Sequence, residues 1–318
     1  MMQYKRELSV ALAYLALLGV LAIFAPRFYQ GDKFLNILVA SAPVLVAAVG
    51  MTLVILSRNI DISIGSQLSI CGVVAGLLAK TGLPMPLVAL ATMAVGGSMG
   101  ALNGVFVAIL GLPSIVVTLA TMVMLREALR WWREGESVKN LPPDFQWFGL
   151  GQSAGQWVIV GVALFTFFIF AWGLRYLSAG RAVYATGSDP DAAFLVGIRP
   201  NRVVFWVLSL MGALTGLAAL LNAVRFPQVD PLAGTGLELQ VIAAVVVGGV
   251  AISGGRGTLA GVLCGVALLG TIGSALVFLG AEAYWEKALQ GGIILIAVAS
   301  DAFEFKRRRH APRALAHE

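Results

Sequence analysis

The sequence predicts an all-α polytopic membrane protein with about ten transmembrane helices, on three observations. Of its 318 residues, 59% are hydrophobic and only 12% charged, where a soluble domain carries about 25% charge. Apolar runs long enough to cross a bilayer as a helix recur along the whole chain. Glycine is abundant, at 37 residues, which suits helices that approach one another backbone to backbone in lipid. A chain this apolar has too little polar surface to cover itself in water, so the excess faces lipid.

The spans fall at 8–25, 36–57, 62–79, 86–109, 113–131, 157–175, 203–224, 238–252, 258–279 and 287–304. The first follows Lys5 and Arg6 like a signal peptide, but no small-residue cleavage site comes after it, so it reads as an uncleaved helix. The fifth turns charged at Arg126 and either lines a cavity partly or sits at the interface. The eighth is short enough to be re-entrant or broken.

Orientation follows from the loop cations. With the N-terminus inside and ten crossings, the inner set holds Lys5, Arg6, Arg58, Arg175, Arg181, Arg199, Arg202, Arg256, Lys306 to Arg309 and Arg313. The outer set is smaller: Arg27, Lys33, Lys80, Arg126, Arg130, Arg133, Lys139, Arg225 and Lys287. Both termini are therefore expected in the cytoplasm, on a multi-pass protein of the bacterial inner membrane. The net charge of +6 marks topology, and no nucleic-acid partner is expected. A single membrane domain, 1–318, is expected to end in a short cytoplasmic tail, 305–318, with no soluble catalytic domain expected. The two long loops are 132–156 outside and 176–202 inside.

Much chemistry is excluded. Both histidines, His310 and His317, lie in the tail, so no buried His–nucleophile pair exists. Cys71 and Cys264 lie in apolar runs and read as small buried hydrophobes, with no metal or disulfide framework. No lysine follows a glycine, so the chain has no G-x-x-x-x-G-K-[ST] phosphate cradle. No helix carries a carboxylate pair suited to a proton relay. The chain reads as no enzyme and needs no cofactor.

Two glycine trios repeat at a spacing of four, Gly96, Gly100 and Gly104 in the fourth span and Gly257, Gly261 and Gly265 at the start of the ninth. Each trio puts one smooth face on a helix. They mark either an inverted internal repeat, since an odd number of crossings separates them, or two unrelated packing faces.

The inside loop carries Tyr184-Ala-Thr-Gly-Ser-Asp-Pro-Asp-Ala-Ala-Phe-Leu-Val-Gly-Ile198. Ser188 or Asp189 suits an N-cap, Pro190 the first helical position, Asp191 the first turn and Gly197 the position just past the end. A two-turn helix with a small apolar face follows, either a knob for a soluble partner or a plain surface loop. Arg58-Asn-Ile-Asp-Ile-Ser-Ile-Gly-Ser66 is a polar joint between two spans. Asp61 is placed to cap the next helix or pair with Arg58, and Gly65 to allow close packing. The joint is a structural turn or a gating element. Asn103, Asn222, Glu238 and Gln240 are polar groups within or beside spans, serving as packing glue or as contacts along a solute path.

These stretches resemble the permeases of ribose/galactose/arabinose-class ABC importers. There, a Gly-x-Asn/Asp, then Ala-Ala, then Gly-Ile lies against the ATPase, matching Gly187, Asp189, Ala192, Ala193, Gly197 and Ile198. The joint at Arg58, Asn59, Asp61 and Gly65 looks like the family's Gly-Gly-Ile-Asp-Leu-Ser-Val-Gly-Ser. Gly234-Thr-Gly-Leu-Glu238, with the Gly-Gly pairs up to Gly257, looks like its late signature. Arg58-Asn59 in place of Gly-Gly, with Trp131-Trp132 and Leu141-Pro-Pro-Asp, is similar to rhamnose and autoinducer-sugar permeases. The resemblance implies cytoplasmic ATPase subunits, a second permease subunit, identical or homologous, and a periplasmic sugar-binding protein as partners. The substrate it implies is a monosaccharide. The rival reading is an ion- or proton-coupled secondary transporter.

Overall fold

The computed structural model describes residues 3–24, 29, 33–278, 285, 287–292 and 294–295. Eleven α-helices run through the described residues: α1 (Gln3–Phe24), α2 (Lys33–Leu56), α3 (Ile64–Lys80), α4 (Met85–Gly104), α5 (Ser114–Arg133), α6 (Gln152–Tyr176), α7 (Ser178–Ser188), α8 (Pro190–Leu195), α9 (Pro200–Ala223), α10 (Leu237–Val247) and α11 (Leu259–Phe278). Among them, the only strand-like feature is one bridge, Val138 to Val229. By length and hydropathy, α2, α4 with its following turn, α6, α9 and α11 can each cross a membrane, and α1, α3 and α10 hold shorter apolar helices. Nine of the expected spans thus have helical counterparts, whereas most of 287–304 and all of 305–318 lie outside the described residues. Helix α7, directly after α6, was not expected.

Proline sets several boundaries. Pro200 opens α9 at its first turn, where a missing N–H is harmless, and α4 and α5 follow Pro84 and Pro113. Helix α4 closes in a π-turn, Val105–Ile109, a local widening often found at functional sites.

Helix α2 is almost wholly buried from Ala42 to Leu56 and forms the post around which the bundle packs. The most extensive helix pair is α4 with α9. The two run antiparallel. A methyl group on Gly96 would strike the Gly212 carbonyl, one on Gly100 the Leu208 carbonyl, and one on Gly216 the Thr92 carbonyl. A methyl group on Gly104 would come within 3.0 Å of the Phe205 ring. The α4 trio therefore lets two backbones touch, which lipid-exposed packing rewards. In the second trio, Gly265 meets the Ala244 carbonyl and Gly261 meets Gly248, both of the short α10 region. Gly257 is not on α11 at all, but in the turn before it, with φ +138°. The two trios thus meet different partners, a full-length helix in one case and a short one in the other.

The crossing that contains α10 is irregular. Val229 lies beside Gly76 and Gly72 of α3, and Gly234 lies beside Gly65 at the other end of the same helix. Segment 226–236 therefore runs back into the bundle along roughly 16 Å of α3, and α10 continues for about as far. Neither alone spans a ~30 Å hydrocarbon core, but the two together do. Non-helical backbone survives at such depth only inside protein or beside a cavity. Here its amides are satisfied locally. Ala233 N donates to Asp230 O, Thr235 N to Leu232 O, and Gly234 N to Ser69 Oγ at 3.1 Å.

Candidate functional site: a polar cavity and the joint beneath it

The irregular crossing opens two adjoining cavities. One, of about 320 Å³, is lined by Asn222, Thr235, Gly236, Gln240, Lys287 and Gln290 among others. The other, of about 410 Å³, is lined by Ser69, Asn222, Gln228 and Asp230 with apolar neighbours. Leu68, Asn222 and Ala233 border both. Asn222 is held at the end of α9 by a bond from Arg225 Nη1 to its Oδ1, at 3.3 Å. The walls are amide- and hydroxyl-rich, with one lysine and one aspartate. Such a lining suits an uncharged solute with several hydroxyl groups. Of the four polar residues singled out in the sequence, Asn222 and Gln240 line this cavity, while Asn103 and Glu238 do not.

Asn103 belongs to a buried network below. Asp61, fully buried, accepts from the Ser63 backbone N–H at 2.9 Å and the Ser63 hydroxyl at 2.5 Å. Gln67 Nε2 and Asn103 Nδ2 donate to Ser63 Oγ, at 2.7 and 2.9 Å. The joint is also fastened to α5, where Ile60 N donates to Ser114 Oγ and Thr118 Oγ1 donates to Ile60 O. Asp61 does not cap α3 as expected, because the N-cap position is Ser63 and carries no side-chain cap bond. Nor does it pair with Arg58. It ties the turn before the helix and links α3 to α4. Glu238 stands apart, 3.8 Å from Arg126 of α5 through Oε1, with Oε2 buried, unpaired and packed on Gly65.

The three motifs, far apart in sequence, meet at the end of the bundle below this network. Arg58 Nε donates to Ser253 O at 2.9 Å, and Gly255 N to Leu56 O at 2.9 Å. Tyr184 OH donates to Gly257 O at 2.8 Å. Gly187 is buried, its Cα pressed on the Leu56 carbonyl and the Gly255 amide. It therefore serves close packing and lies away from the surface. From this joint α8 projects outwards. Asp189 Oδ1 caps it by accepting from Asp191 N and Ala192 N, both at 3.0 Å, and Gly197 leaves it with φ +86°, a conformation only glycine adopts freely. The exposed face of α8 differs from the one expected. Ala192 is exposed but Ala193 is buried at 3%. What projects is Phe194, Leu195 and Val196, at 66%, 85% and 76% exposure. Ile198 is half-buried behind them. A six-residue helix has too few positions for periodicity to say which side faces its own bundle, so the sequence did not separate Ala193 from its neighbours. Ser63 and the Gly254–Gly255 pair lay within quoted motifs but were assigned no role of their own, and Gln67, just past the first motif, was missed.

The protein family described as branched-chain amino acid transport system, permease component, matches residues 33–298. The chain belongs to this permease family. It is similar to the ribose import permease protein RbsC of Escherichia coli K12, at 34% identity over 93% of each chain. It is also similar to the autoinducer 2 import system permease protein LsrC of Escherichia coli O157:H7, at 35% identity over 96% of this chain and 91% of the relative. No solved structure matches it. The permease is thus a membrane transport subunit of an ATP-driven importer and no enzyme, with ATP hydrolysis on a separate subunit. The match runs through all three motifs that the fold gathers at the joint.

Proposed function

We propose that the permease carries a monosaccharide, rhamnose-like or an autoinducer sugar, across the inner membrane, working as one of a pair of permease subunits, identical or homologous. The observation that carries the reading is the amide-lined cavity at the irregular crossing, set within a chain similar to two sugar-related import permeases. Discontinuous helices of this kind commonly build the solute sites of transporters. Asn222 and Gln240 are the proposed sugar contacts. The joint end faces the cytoplasm, where ATPase subunits dock on α8, and the opposite end, with loops 134–151 and 224–231, meets the periplasmic sugar-binding protein. Both termini are then cytoplasmic.

An ion-coupled transporter is disfavoured by the placement of the buried acids, since neither Asp61 nor Glu238 lines either cavity. The deciding experiment is uptake of labelled rhamnose, ribose, autoinducer-2 and leucine by cells expressing the permease with its neighbouring ATPase and binding protein. Saturable uptake of one sugar and none of leucine supports the reading. Uptake of leucine alone overturns the substrate class.

A further inference from the structure

Arg58 stands in the left-handed region, with φ +64°. Glycine and asparagine occupy that conformation readily, whereas a long side chain there is strained. A turn needing only its backbone shape is better served by either. Arg58 instead reaches across the joint. Its Nε bonds the Ser253 carbonyl at 2.9 Å, and its Cγ covers the face of Gly254 so closely that a methyl group there would strike it. Gly254 also faces the carbonyl of Gly187, the last turn of α7 before α8, and the adjacent Gly255 amide bonds Leu56 O. One side chain thus closes a layer made of three strands of chain: the end of α2, the end of α7, and the turn between α10 and α11. On the far side of Arg58, the chain passes at once into the Asp61–Ser63 network and α3, which walls the cavity. A strained residue whose side chain bridges three separate elements points to function rather than shape.

We propose that Arg58 is a positioning residue, the strut through which displacement of α8 is passed to α3 and to the α10 crossing. This rests on the reading of α8 as the ATPase-docking element. Without the strut, α7–α8 can move while the 57–63 joint and the cavity stay put, so ATP is hydrolysed without the solute crossing.

The test uses the complete permease–ATPase assembly in vesicles, with Arg58→Gly and Arg58→Asn. Both replacements relieve the backbone, so both should fold. The probe is whichever of ribose, rhamnose and autoinducer-2 the unaltered assembly carries. The expected result is undiminished co-purification of the ATPase and continued hydrolysis, with solute moved per ATP down about tenfold, the scale of one charge-assisted hydrogen bond. An unchanged ratio in both variants overturns the proposal. So does loss of the ATPase in both, because Arg58 would then belong to the docking face. Leu195→Asp, measured alongside, isolates the underlying reading. If that variant keeps the ATPase and normal uptake, α8 is not the docking element, whatever the Arg58 variants do.

Discussion

Gly100 shows how much one missing side chain decides. Its Cα lies against the Leu208 carbonyl and the Gly212 backbone, with no flexible side chain to yield. Gly100→Leu should force α4 from α9 and destabilise the protein by roughly 1–3 kcal/mol or more, seen as a lower aggregation temperature in detergent. A variant as stable as the parent would mean that α9 can shift at no cost. Asn222 makes the opposite case, since it borders both cavities and only one bond to Arg225 is lost with it. Asn222→Ala should leave assembly with the ATPase intact and weaken uptake by about tenfold or more, if its amide bonds a sugar hydroxyl. Normal uptake would remove Asn222 from the path. Asn222 and Gln240 were legible in the sequence as polar groups near apolar runs. Their difference from Asn103 and Glu238 was not, because a helix period says which side a residue takes but not whether that side meets a cavity or another helix.

At the scale of elements, α8 is the most exposed apolar feature of the joint. Three large hydrophobic side chains in a row, Phe194 and Leu195 closing a six-residue helix and Val196 just past it, lose nothing by leaving water, so a partner surface that covers them gains their burial. Leu195→Asp should abolish co-purification of the ATPase and uptake together, while membrane level and binding of the periplasmic partner stay normal. Ala193→Arg is a poorer probe, because Ala193 is buried against its own chain and the change would disturb folding as well. The α8 boundaries were legible because Asp189, Pro190 and Gly197 are local signals that act on their own backbone. Helix α7 was not, as its glycines and polar residues read as loop until α6 and α9 pack around it.

At the scale of the whole molecule, most of the loop cations divide between the two ends, while Arg126 pairs with Glu238 and Lys287 lines the cavity. Arg58, Arg175, Arg181, Arg199, Arg202 and Arg256 flank the joint, and Lys80, Arg133, Lys139 and Arg225 flank the other end. Reporter fusions after residue 149 and at residue 318 should give an outside and an inside signal respectively, and an outside signal at 318 would reverse the topology. Uptake in vesicles should require internal ATP and persist with a proton uncoupler. Transport by the permease alone on an ion gradient would sink the importer reading.

Composition and the lengths of apolar runs by themselves determined that this chain is a many-helix membrane protein, because the cost of exposing backbone and charge to lipid leaves few alternatives. Local chemistry likewise determined the caps of α8 and the shortness of the α10 crossing. Only the tertiary structure decided that Arg58, Gly187 and Ser253 form one joint, that segment 226–236 folds back along α3, and which side of α8 is free. Those outcomes depend on distant stretches of chain meeting, as Arg58 and Ser253 do across 195 residues. Such meetings turn on which glycine faces which carbonyl, and no single segment of sequence carries that information.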